Sequence, residues 1–294
     1  MLNQDFTFRT KVKTTKDGIA ICHRDRVVML GSCFTDNIGE KMTDGGFDCT
    51  VNPMGTLYNP ASILQVLNPN IDRDALEWMH SRVVNPADAY NELQSRVSEA
   101  DLIIVTFGTA YVYTLKSTGK IVANCRKNPE NMFERHRLSA DEIADKWIEC
   151  IQRQKEKNGT QFIFTVSPIR HLKDGLHENQ LSKATLLLAI EKICKACPES
   201  CSYFPSYEIM IDELRDYRFY NDDMMHPSDT AIEYIWSMFC QTYMDSGTIG
   251  FIEKFERLNR TLRHRPYNPD APEYKRLITE TNKQIQILKD AIQD

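Results

Sequence analysis

The chain has 294 residues, 41% of them hydrophobic and 26% charged, and a formal net charge of −5. That length buries a sizeable core in one large or two small domains, and the composition is ordinary for a soluble globular protein. The mild acidity, without a long basic cluster, excludes a nucleic acid held mainly through its phosphates, and the lack of any run of about 18 apolar residues excludes a membrane span.

The first residues, Met1-Leu2-Asn3-Gln4-Asp5-Phe6, are polar and lack the apolar core of a signal peptide. Nine cysteines, an odd number scattered from Cys22 to Cys240, suit reduced thiols. Both features point to a cytoplasmic protein. Val27 to Gly31 reads as a buried strand, and Thr35 to Met42 as the helix after it. Phe47 to Val51 is a second short strand, closed by Asn52-Pro53. Asn59-Pro60 is a turn signal, followed by helical periodicity from Pro60 to Leu67.

Leu102 to Phe107, ending in Gly108, and Phe162 to Val166, ending at Ser167-Pro168, are apolar on both faces and rich in β-branched residues. Such runs suit strands of a parallel sheet covered by helices. Between them, Tyr111 to Leu115 and Ile121 to Asn124 flank Lys116-Ser117-Thr118-Gly119-Lys120 and read as an inserted β-hairpin. Amphipathic helices fit 139–157 and 179–197, and Ser202 to Phe204 is a fifth strand. Cys194-x-x-Cys197 with Cys201 has no second pair to complete a zinc site and reads as buried thiols. Trp78, Tyr90, Tyr111 and Tyr113 read as core or hairpin packing.

Residues 264–272, with Pro266, Pro269 and Pro272, read as a linker to a charged helix from Glu273 to Gln293. Its thin apolar stripe needs a surface to pack on, from its own domain or from a second copy in a homodimer. The division is 1–263 for the main domain and 264–294 for the linker and helix.

This alternation predicts an α/β fold, a three-layer α/β/α sandwich around a mainly parallel five-stranded sheet with right-handed crossovers. In such folds ligands sit outside the carboxyl ends of the strands. Ser32, Gly108 and Ser167 all lie just past strand ends, so one sheet edge should gather them.

The chemistry-bearing residues are Ser32, at the tip of the first strand, and the pair Asp223 and His226. A helix N-terminus after Ser32 favours an attacking alkoxide and its oxyanion. Cys33 is a rival nucleophile, but as the adjacent residue it should point elsewhere, inward as a small hydrophobe. A carboxylate three residues before a histidine can fix its tautomer and leave the other ring nitrogen to face the serine. Asp222 competes with Asp223 for that place. Each has a plainer alternative: Ser32 as a helix N-cap, and His226-Pro227-Ser228 as a helix entrance with Ser228 as the cap.

Gly31-Ser32-Cys33-Phe34-Thr35 closely resembles the signature that names the GSCFA family, with Thr35 in place of its alanine. Further matching stretches are Val51 to Pro60, Thr106 to Thr109, Val122 to Lys127 and Thr165 to His171, and the resemblance covers most of residues 8–245. It implies an SGNH-type hydrolase with a flavodoxin-like fold. On that resemblance Ser32 is the nucleophile, His226 the base and Asp223 the orienting acid. The amides of Ser32 and Gly55 bind the oxyanion. The block that usually carries Gly-x-Asn-Asp departs here to Gly108-Thr109-Ala110-Tyr111, so Thr109 donates in place of the asparagine, or a later asparagine fills the space. Losing one such donor typically costs about 2.7–4 kcal/mol in the transition state.

After the strand ending at Val166, Arg170, His171, His177 and Asn179 are candidates to line the substrate pocket, against a solvated loop and helix start as the plainer alternative. The resulting expectation is a cytoplasmic serine esterase that deacylates a carbohydrate or another small acyl ester, with no cofactor and no metal. A binding protein on the same scaffold with weak or no catalysis, and an acyltransferase, are the alternatives.

Overall fold

A computed structural model describes residues 9–15, 18–79, 83–264, 267–268 and 270–293; the linker expected over 264–272 falls partly outside them. In chain order the first half runs β1 (Arg26–Gly31), α1 (Cys33–Asp44), β2 (Asp48–Val51), α2 (Pro60–Leu67), α3 (Arg73–Leu76), α4 (Pro86–Glu99) and β3 (Leu102–Phe107). β4 (Tyr111–Leu115), β5 (Lys120–Val122) and β6 (Phe133–Arg137) follow. The second half runs α5 (Ala140–Asn158), β7 (Gln161–Val166), α6 (Gly175–Ala196), β8 (Cys201–Phe204), α7 (Ser206–Glu208), α8 (Asp229–Tyr243), α9 (Ser246–Arg263) and α10 (Pro272–Gln293).

β1, β2, β3, β7 and β8 form one parallel sheet in the order β2-β1-β3-β7-β8. The apolar runs do this because both faces are covered. On one face Leu30, Val105, Phe107 and Phe164 pack with Trp147 of α5 and with residues of α2, α4 and α6. On the other, Val27, Met29 and Ile104 pack with Phe34 and Ile38 of α1 and Ile235 and Phe239 of α8. Each such fully buried side chain contributes roughly 1.5–3 kcal/mol of transfer free energy.

The register pairs Gly31 with Thr106, Thr106 with Thr165, and Thr165 with Phe204. The carboxyl ends of the four strands β1, β3, β7 and β8 are therefore level, and the residues just beyond them share one rim. α1 lies close on β2, because a Cβ on Gly39 would meet the Val51 methyls at 2.6 Å.

The inserted hairpin is larger than expected. β6 joins β4 and β5 in a second, antiparallel sheet of order β5-β4-β6. Of the β6 residues only Phe133 is buried, so the strand lacks the apolar alternation that marks one. α10 packs along α9: Thr281 is buried, and the Tyr274 hydroxyl donates to the His264 carbonyl at 3.0 Å. Arg263, at the end of α9, pairs with Asp44 at the far end of α1 from Ser32. The C-terminal pair of helices thus lies away from the rim.

Candidate active site

The turn from β1 into α1 sets the geometry. Gly31 has φ +149, and a Cβ there would sit 2.3 Å from the Thr106 carbonyl oxygen, so only glycine fits. Its N–H donates to Asn52 Oδ1 at 2.8 Å and its carbonyl accepts from Leu57 N–H at 2.9 Å. The Asn52 amide in turn donates to Asp36 Oδ1 at 2.6 Å. Strand end, helix start and the loop after β2 are locked together.

At this junction two adjacent side chains go opposite ways. Ser32 is in an extended conformation, is 0% exposed, and its hydroxyl accepts the Phe34 N–H at 3.3 Å. It is the N-cap of α1, turned towards Gly108 beneath the rim. Cys33, the first residue of the helix, is only half-buried, and its Sγ lies 3.7 Å from His226 Nε2. The expectation that Ser32 faces the imidazole while Cys33 points inward is corrected: the thiol meets the ring and the hydroxyl does not. The reason is the change of direction between an extended residue and a helical one. Burial, reinforced by nearby Asp36, pushes the Cys33 thiol above its ordinary range, while Lys183 opposes this, so at rest it holds its proton.

His226 sits on a loop folded back on itself. Asn221 N–H donates to the His226 carbonyl at 2.8 Å, and Met224 takes a left-handed φ of 58 between them. Asp223 Oδ1 accepts the Met225 and His226 N–H groups at 2.8 and 2.9 Å, and Oδ2 lies 2.5 Å from His226 Nδ1. These bonds hold the Asp223 carboxyl down to about 2. Asp223 rather than Asp222 holds the ring, as the three-residue spacing predicts. With Nδ1 donating to a carboxylate, the Nε2 lone pair is left to face Cys33. Ser228 caps α8 by accepting from Ala231 N–H.

The floor contains a residue that sequence reasoning missed. Lys183 of α6 is buried, and its Nζ donates to the carbonyls of Gly108 and Ser167, both at 2.7 Å. It ties the ends of β3 and β7 together. Burial lowers it to about 7. The available signal was its place on the stripe Asn179, Ser182, Leu186 and Ile190, the buried face of α6.

The sulfur opens on a cavity of about 390 Å³. Its walls include Tyr58, Asn59, Tyr111, Tyr113, Arg135, Arg170, His171 and Lys173, together with His226 and Cys33. Arg170 and His171, two of the candidates to line a substrate pocket, both border this cavity. His171 packs edge-on to Tyr58, and its Nε2 is enclosed without a partner. Burial and the neighbouring Lys183, His226 and Arg135 lower it to about 3, so it is neutral. Asn179 is a support, its Oδ1 accepting the His171 N–H at 3.0 Å. His177 is exposed on the first turn of α6 and does not border the cavity. Tyr111 and Tyr113 are cavity walls rather than simple hairpin packing.

All three expected oxyanion donors are engaged elsewhere, the Ser32 N–H donating to the Thr106 carbonyl at 3.3 Å. The Gly55 N–H donates to the Asn52 carbonyl at 2.8 Å. The Thr109 hydroxyl accepts from Tyr111 N–H at 3.1 Å and is hydrogen-bonded to Ser182 at 3.1 Å. Asn59 also borders the cavity. Its Oδ1 accepts the Ser62 N–H at 2.8 Å as the cap of α2, which leaves its amide nitrogen free of that bond. The Tyr58 carbonyl accepts both Gly108 and Thr109 N–H groups, which pins Asn59 beside the end of β3.

No curated protein matches the chain. The family model described as the GSCFA family matches residues 26–239, a span from β1 into α8 that takes in Cys33, the cavity and His226. The chain belongs to the GSCFA family.

Proposed function

We propose that this GSCFA-family chain is an acyl hydrolase in which Cys33 is the nucleophile, His226 the base and Asp223 the residue that orients the ring. The observation that carries the reading is the 3.7 Å approach of Cys33 Sγ to His226 Nε2 at the end of an open cavity, while Ser32 is fully enclosed. The thiol is protonated at rest, so the mechanism is that of a serine triad run with sulfur, not of a preformed thiolate.

Sulfur attacks the ester carbonyl as His226 Nε2 takes the thiol proton. The carbon–oxygen bond then breaks, and the alcohol leaves with that proton. This gives an S-acyl enzyme. Water adds to the thioester, giving its proton to His226; the acid departs and the thiol is restored. The Cys33 N–H at the open end of α1 and the Asn59 amide are the donors for the oxyanion.

The test is a burst experiment with p-nitrophenyl acetate. One p-nitrophenolate per chain should be released rapidly, with the acetyl group found on Cys33 by peptide mass spectrometry. Cys33→Ala should abolish both. Acetyl on Ser32, or a burst that survives Cys33→Ala, would overturn the assignment.

A further inference from the structure

We propose that the natural ester carries an anionic group, a carboxylate or a phosphate, held by Arg170 where the Cys33 cavity and the neighbouring hollow share that residue; this rests on the acyl-hydrolase reading above. The argument is one of unmatched charge. Three basic side chains with permanent charge border the cavity: Arg135, Arg170 and Lys173. Arg135 is paired with Asp174, and Lys173 with Glu130 at 2.8 Å. The His226 ring is matched by Asp223. Arg170 has no carboxylate within 4 Å among the described residues. Its guanidinium lies over the rings of Tyr220, 4.1 Å from the centroid, and Tyr217, at 5.1 Å. One N–H reaches the Met224 carbonyl at 3.4 Å.

A guanidinium keeps its charge on burial against aromatic rings and presents a flat fork that fits carboxylate or phosphate oxygens. Stacking on two tyrosines holds it in place before the ligand arrives, which lowers the ordering cost of binding. The position is also fixed relative to the chemistry. Arg170 N–H donates to the Met225 carbonyl at 3.2 Å, and Met225 precedes His226. The cation is thus carried on a segment bonded to the one that carries the base.

Arg170 further borders a second hollow of about 320 Å³ with Tyr207 and Tyr217, so the charged part of a substrate has room to extend away from the sulfur. A neutral ester would leave this charge unanswered in the occupied cavity. An anion of the right length converts it into charge-assisted hydrogen bonds.

Paired esters that differ in one negative charge test this in the full chain. The charge sits on the acyl side in p-nitrophenyl hydrogen succinate against p-nitrophenyl butyrate, and on the leaving-group side in 4-acetoxybenzoate against phenyl acetate. One charged member should exceed its neutral partner in kcat/KM by about tenfold or more, the size expected of a charge-assisted pair. Which member does so tells which side carries the charge. The ratio should fall towards one in Arg170→Met, recover in part in Arg170→Lys, and shrink as salt is added. Alkylation of Cys33 by iodoacetamide, mapped by peptide mass, reports that each variant retains the site.

Equal turnover of charged and neutral esters overturns the proposal while leaving the hydrolase intact. So does an Arg170→Met variant that loses both classes in step, which would make the residue a structural stack. A wild-type chain that cleaves none of the esters, although Cys33 is alkylated, overturns the hydrolase reading and this proposal with it.

Discussion

The Ser32 hydroxyl accepts the Phe34 N–H and so caps the first turn of α1. Removing it should cost about 0.5–2 kcal/mol of stability, the usual penalty for losing a cap. Ser32→Ala should therefore melt earlier yet retain the p-nitrophenyl acetate burst on Cys33. A variant that stays folded and loses the burst would return the nucleophile to Ser32.

In the proposed mechanism Asp223 acts through His226. Asp223→Asn keeps the shape but can favour the wrong imidazole tautomer, and Cys33 acylation should fall by up to about 10⁴-fold. Asp222→Asn should leave it near the wild-type rate. Stopped-flow release of p-nitrophenolate measures both, and the opposite ranking would name Asp222 as the orienting acid.

In the proposed mechanism Asn59 offers the oxyanion an amide, since Gly55 and Thr109 are engaged elsewhere. Asn59→Asp, with an acceptor where a donor is required, should slow acylation by about 10²–10³-fold. Iodoacetamide alkylation of Cys33 forms no oxyanion, so its rate should change far less. Equal losses in the two reactions would show that Asn59 only holds α2 in place.

His171 contributes a pH dependence to stability. Its folded value near 3 lies below the ordinary 6.5, because burial disfavours the charged ring. Below pH 6.5 the unfolded chain takes up a proton that the folded one refuses, so stability falls as pH drops from 6.5 to 3 and is fully present above 6.5. Urea midpoints between pH 7 and pH 4 should drop less steeply in His171→Gln than in wild type. Parallel slopes would mean that the ring is protonated in the folded protein.

The sheet was legible because its strands are continuous apolar runs, and the register follows from burying both faces. β6 was not, since Phe133 alone is buried and the rest of Phe-Glu-Arg-His-Arg reads as solvated. The pairing of Asp223 with His226 was legible because three residues of a tight loop bring the groups together. The choice between Ser32 and Cys33 was not. Which of the two neighbours faces the His226 ring depends on the rotation of the chain at the strand–helix junction, and that rotation depends on Gly31, Thr106 and Asn52 meeting in space. Asn59 was hidden behind Pro60, where the pair reads as turn punctuation. Lys183 was hidden because a lysine in a helix is ordinarily solvated, and its two carbonyl partners come from distant strand ends.

Burial keeps the Cys33 sulfur protonated, and that bears on how long it survives. Peroxide and other oxidants react with thiolates far faster than with thiols. A cysteine activated permanently by a low pKa is exposed to them at every moment. In the mechanism proposed above, the sulfur becomes reactive only while His226 accepts its proton, with the ester already bound. The resting protein is thus guarded against irreversible oxidation by the same enclosure that makes its thiol weakly acidic.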